Sequence, residues 1–144
     1  MSRLQSIIET GSFPIALPEL AVVPDHMHIF MFSAITWNRH HVHYNKDAAI
    51  REGLPDVVVQ RALLGNYIAR AVTDWARDEA EIRELSWKVL SSATPNSRLR
   101  CQGSVTGASI EGARKSLVCE LRIVRDDEQV VASGRARVEL VQPA

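Results

Sequence analysis

All five histidines of the chain, His26, His28, His40, His41 and His43, fall within one short stretch. Imidazole, with a pKa of about 6.5, can give and take protons near neutral pH and is also a common metal ligand. No H-E-x-x-H and no Cys/His ligand spacing accompanies these residues, so no metal and no other cofactor is expected. Proton transfer is the better-placed chemistry. The segment Thr36-Trp37-Asn38-Arg39-His40-His41-Val42-His43-Tyr44-Asn45 lies between a strand-like run and a short helical one, where a loop can present side chains from a rigid base. His40 stands three residues before His43, on the same side of the chain if the loop winds helically.

The elements that must hold this loop can be read from apolar spacing. Pro14, Pro18 and Pro24 interrupt the start, so residues 1–25 are expected to be partly extended or irregular, with one short strand near Leu20–Val23. His26–Thr36 is apolar on alternate positions of both faces and reads as an internal strand, which would put His26 and His28 on one face. Asp47–Glu52 reads as a short helix closed by Gly53 and Pro55. From Val58 to Arg77, Leu64, Ile68, Val72 and Trp75 recur at helical steps, and small residues fill other faces, so a long helix surrounded on several sides is expected. Four alternating runs follow, around Leu85–Val89, Arg98–Val105, Ser116–Ile123 and Val130–Leu140. Their turns at 94–97, 110–114 and 126–128 are short enough for antiparallel neighbours. One long helix with an antiparallel meander is an α+β pattern. Arg98, Arg100, Arg135 and Arg137 alternate with the apolar positions and read as a solvated sheet face.

The loop, together with Lys46-Asp47-Ala48-Ala49 and the run Gly53-Leu54-Pro55-Asp56-Val57-Val58-Val59-Gln60, resembles the MaoC-like hydratase and dehydratase family of the hot-dog fold. Ala93-Thr94-Pro95-Asn96-Ser97-Arg98-Leu99 is similar to that family's Pro-containing turn. The pattern from Ser33 to Tyr44 looks closest to the type 2 hydroxyacyl-thioester dehydratases and mesaconyl-type hydratases. The resemblance implies a single hot-dog domain over residues 1–144, in which an antiparallel sheet of five or six strands curls around one long central helix. It also implies reversible addition of water to an enoyl thioester of CoA or of a carrier protein.

Carried over residue by residue, His43 falls on the family's catalytic histidine and Asn38 on its catalytic aspartate. The family's His-Gly at the helix entrance becomes Gln60-Arg61. His43 is then the general base, Asn38 orients water, and His40 tunes or assists the base. Gln60, Arg61 and Ala62 open the long helix, whose free N–H groups suit charge developing on a thioester oxygen. Arg61, in place of Gly, is expected to crowd or re-aim that site. Arg39 and Arg61 are candidates for contacts to the phosphates of the acyl carrier. Two other readings stay open: a non-catalytic hot-dog subunit that supports a catalytic partner, and, more weakly, a thioesterase.

Seventeen Lys and Arg balance seventeen Asp and Glu, and 46% of residues are apolar. A neutral chain of this kind offers no field for nucleic acid or an anionic membrane. No apolar run approaches a bilayer span, and the first ten residues lack the pattern of a leader, so a cytoplasmic protein is expected. Cys101 and Cys119 read as buried free thiols. A single hot-dog sheet leaves an edge, so a homodimer, a higher oligomer or a hot-dog heteromer is expected.

Overall fold

The computed structural model describes residues 1–141. Its elements run α1 (Arg3–Thr10), β1 (Ile15–Ala16), β2 (Leu20–Val22), α2 (His26–Thr36), a 3-10 turn (His41–His43), α3 (Lys46–Arg51), α4 (Arg61–Ala76), β3 (Ala80–Val89), β4 (Leu99–Glu111), β5 (Arg114–Arg125) and β6 (Val130–Leu140). The strands form one open antiparallel sheet in the order β1-β4-β5-β6-β3, and β2 also pairs with β4.

The sheet's inner side carries Leu99, Cys101, Val105, Leu117, Cys119, Ile123, Ala136 and Val138, all buried. Against it lies α4, which buries Leu63, Leu64, Gly65, Tyr67, Ile68, Ala71, Val72, Trp75 and Ala76. More than half of a sixteen-residue helix is thus covered, which the wide apolar and small surface of this segment requires. At Gly134 a Cβ would lie 2.9 Å from Ile68, so the absence of a side chain lets β6 approach the helix. The two thiols are free and buried, which pushes each up to about 12. Arg98, just before β4, and Arg135 on β6 are exposed, whereas Arg137 binds Glu84 at 2.7 Å and Arg100 pairs with Glu128.

Four expectations need correction. His26–Thr36 is a helix, not an internal strand. Seven of its eleven residues are apolar and fall on both alternate faces, so alternation there cannot discriminate, and Asp25 decides the outcome by accepting the His28 N–H at 2.7 Å as an N-cap. Residues 3–10, expected to be extended or irregular, form α1 instead. Ser2 caps it, Leu4 and Ile8 are buried, and the Glu79 carboxylate takes the Leu4 N–H at 3.0 Å. The long helix starts at Arg61, because the Val58 and Val59 N–H groups are spent on Val42 O and Ala93 O of other segments. Finally, β3 does not pair with its sequence neighbour β4. It crosses to the far side and pairs with β6, leaving only β4-β5-β6 as the meander.

Candidate active site

The chain leaves α2 through Trp37, whose positive φ of 55° turns it sharply. Asn38 N–H then bonds back to Ser33 O at 2.9 Å. The Asn38 side-chain oxygen accepts the His40 N–H at 3.2 Å, an Asx turn that shapes the approach to the 3-10 turn. Tyr44 closes the loop by donating its hydroxyl to Arg39 O at 2.7 Å. Asn45 caps α3 through a 3.0 Å bond from Ala48 N–H. A short polar segment is therefore held at both ends by its own side chains.

Val42 of the 3-10 turn is buried and accepts the Val58 N–H at 3.0 Å. The His43 ring returns the contact: its Nδ1 lies 2.7 Å from Val58 O. A carbonyl oxygen only accepts, so Nδ1 carries the proton and Nε2 keeps its lone pair. That tautomer makes Nε2 a base. Burial holds the half-buried His43 imidazole below its ordinary value; the bond to Val58 works in the opposite direction, and the field of His40 lowers it further. The base therefore stays unprotonated at and somewhat below neutral pH.

Val58 stands two residues before the N-cap of α4, so the same carbonyl that orients His43 brings it to the helix entrance. The neighbouring Val59 N–H bonds to Ala93 O at 2.9 Å, tying this segment to the Pro-containing turn. Gln60 is the N-cap position, yet its side chain makes no capping bond. It is fully buried and donates its amide to Ile29 O at 2.7 Å and Ser33 Oγ at 2.8 Å, fastening α2 to α4. The first turn of α4, with Arg61 and the exposed Ala62, thus begins without a side-chain cap, and its N–H groups and positive dipole end suit an anionic oxygen.

Arg61 does not fold back over that turn. Its guanidinium lies 5.1 Å above the Trp87 ring and donates to Trp87 O at 3.2 Å, while Trp87 Nε1 donates to Arg61 O at 2.9 Å. Arg39 is exposed on the rim of a cleft of about 170 Å³, lined also by Phe30, Ala34, Trp37, Asn38 and Tyr44. His40 is exposed, its ring 5.8 Å from that of His43. The remaining histidines disperse: His26 lies 4.0 Å from Asp56, His28 meets the edge of Tyr67, and His41 packs on Tyr44. Among the described residues no three His, Cys, Asp or Glu side chains converge as metal ligands would.

Three participants escaped the sequence reading. The Val58 carbonyl is a backbone group fifteen residues from His43 and leaves no residue-type signal. Trp87 lies on a strand far along the chain, and Glu52, whose Oε1 lies 3.3 Å from His40 Nε2, reads only as the end of a short helix.

The sequence pattern of the family described as hydroxyacyl-thioester dehydratase type 2 matches residues 14–95. That range contains the loop, α4 and β3. No curated protein matches the chain. Among solved structures, the ChsH1-ChsH2 complex from Mycobacterium tuberculosis is 21% identical with a TM-score of 0.80, covering 90% of this chain and 98% of that one. The (R)-hydratase from A. caviae involved in PHA biosynthesis is 13% identical with a TM-score of 0.80, covering 90% and 97%. The C-terminally truncated HadBC (3R-hydroxyacyl-ACP dehydratase) complex from Mycobacterium tuberculosis is 11% identical with a TM-score of 0.71, covering 87% and 95%. These likenesses establish the hot-dog fold.

Proposed function

Because the chain belongs to the type 2 hydroxyacyl-thioester dehydratase family, we propose that it is a hydro-lyase that adds water to a 2-enoyl thioester and removes it in reverse, with His43 as the base. The observation that carries this reading is the 2.7 Å contact from His43 Nδ1 to Val58 O at the entrance of α4. His43 Nε2 takes a proton from water as its oxygen bonds to C3. The π electrons move onto the thioester oxygen, which the N–H groups of Arg61 and Ala62 receive. Asn38 holds no transferable proton, so the imidazolium returns its proton to C2 as the carbonyl re-forms. Asn38 orients the water, and Arg39 and Arg61 face the phosphates of the acyl carrier, CoA or a carrier protein. Gln60 serves the site from behind, by fixing the start of α4.

The acid limb of kcat/KM for enoyl-thioester hydration then reports protonation of His43, and it should lie below the ordinary imidazole value of about 6.5. Asn38→Asp keeps the acceptor for the His40 N–H but adds a negative charge beside the site, which favours imidazolium. The acid limb should move to higher pH while activity on the alkaline plateau stays within a few-fold of wild type. A loss beyond a hundredfold on that plateau would show a strict need for the amide.

The site works in a dimer, as a homodimer or with a second hot-dog chain. Two features support this. The edge strand β3 is ten residues long and paired on one side only, and such an edge invites pairing. Along α2, Met27, Phe30, Met31 and Ile35 form an exposed apolar stripe that continues into Trp37, with Ile35 78% and Trp37 76% exposed. Sedimentation at micromolar concentration should give a mass of at least two chains, or of one chain with its heteromeric partner. A stable 16 kDa species that hydrates enoyl thioesters would contradict the composite site. This reading places the chain in the cytoplasm, in fatty acyl metabolism, as a single domain. No helix among the described residues is long and apolar enough to cross a membrane.

A further inference from the structure

The short helix α3 ends at Arg51, and the next residue, Glu52, turns its carboxylate back toward the loop that precedes the helix. Glu52 Oε1 lies 3.3 Å from His40 Nε2. The His40 ring also stands edge to face with the His43 ring, 5.8 Å between centroids and 86° between planes. Three groups that are twelve residues apart at most are thus in successive contact: carboxylate, imidazole, imidazole. We propose that Glu52 is a positioning residue, whose carboxylate holds the His40 ring against His43 so that the charge on His40 governs when His43 is free to act as a base. This rests on the reading of His43 as the base, and it assigns a part to a residue that never touches the substrate.

The physical argument is one of sign. Five positions before His43 the chain has the neutral Asn38, so no carboxylate at that place favours imidazolium at His43. What the fold supplies beside His43 is instead a second imidazole, whose positive form disfavours a second proton nearby. The Glu52 carboxylate, 3.3 Å from His40 Nε2, fixes where that second imidazole stands.

Other titratable groups lie on the elements around the turn, and most have partners elsewhere. On α2, His26 lies near Asp56 and His28 is on Tyr67 of α4. On α3, Lys46 pairs with Asp56 at 3.4 Å, and Asp47 and Arg51 are exposed. Arg61 is on Trp87 and His41 is on Tyr44, while Arg39 is exposed. The His40 ring is the titratable neighbour that stands against His43, and its field lowers the His43 value. Both members of the Glu52–His40 pair are more than half exposed, so water and salt screen it and the effect is modest.

The test is the titration of the His43 ring protons by NMR in the full chain, at low and high salt, for wild type, Glu52→Ala, His40→Gln and the double variant. Both single variants sit on the surface, and the spectrum itself reports whether each remains folded. Glu52→Ala should raise the His43 midpoint by a few tenths of a pH unit, His40→Gln should raise it at least as far, and the double variant should match His40→Gln alone. The shift should shrink at high salt. A fall of the midpoint in Glu52→Ala would mean that the carboxylate acts on His43 directly, and no change would mean an ordinary surface pair; either result overturns the proposal. So does a Glu52→Ala shift that persists when His40 is already Gln. The acid limb of kcat/KM should follow the NMR midpoint. If the midpoint moves and the limb does not, His43 is not the base, while the role of Glu52 toward His40 stands.

Discussion

His43→Ala lowers turnover of enoyl thioesters by roughly 10²- to 10⁴-fold, the usual span for removing a positioned general base, and the protein stays folded. Each half of that result has its own cause. The chemistry fails because the groups described beside His43 are not placed to take the proton: Asn38 is an amide, Gln60 is buried in bonds to α2, and His40 is turned toward Glu52. The fold survives because Val58 keeps its backbone bond to Val42 O and Val59 its bond to Ala93 O. His41→Ala serves as the control. That ring packs on Tyr44, and its loss should change turnover far less. A folded His43→Ala protein with near-native turnover on its best thioester would remove His43 from the mechanism.

The largest expected loss of stability follows from Gly65→Ala. A Cβ on residue 65 would stand 2.4 Å from Cε2 and Cζ2 of Trp87, well inside van der Waals contact. The indole cannot simply swing aside, because its Nε1 is bonded to Arg61 O and its face carries the Arg61 guanidinium. Either β3 moves off α4 or the Arg61–Trp87 pairing breaks. Overpacking of this kind costs about 1–3 kcal/mol, which for a chain of this size lowers Tm by roughly 2–10 °C. Gly107→Ala is the matched comparison. Nothing lies within 4 Å of a Cβ there and its φ is not positive, so thermal unfolding should change little. Equal Tm values for the two variants would show that the close approach at Gly65 is not a constraint.

The contrast between those glycines shows what residue types alone convey. The periodicity of α4 and the alternation of β3 to β6 are local patterns imposed by burial of one side, and each is visible in a window of a dozen residues. The stretch from His26 to Thr36 carries no such contrast, since its apolar residues satisfy helix and strand templates alike. Its helical state depends on the Asp25 cap and on Gln60 reaching across to Ile29 and Ser33. The pairing of β3 with β6 is equally non-local, because the short 94–97 turn would have allowed β3 to pair with β4. At the site, the family resemblance named His43, Asn38 and the opening of α4 as candidates. It could not foretell that Gln60 would face inward, that Arg61 would lie on Trp87 rather than crowd the helix start, or that a backbone carbonyl would select the tautomer of His43. Those outcomes depend on segments that meet only when the sheet packs against the helix.

The most direct measurement incubates the purified protein with a panel of 2-enoyl-CoA thioesters and follows both the enoyl absorbance and the product. The account predicts catalysed loss of the enoyl absorbance and gain of one water to give the 3-hydroxyacyl thioester, with the CoA still attached. Release of free CoA thiol without hydration would make the chain a thioesterase. No reaction with any thioester, by the chain alone or with a hot-dog partner, would contradict the hydro-lyase outright.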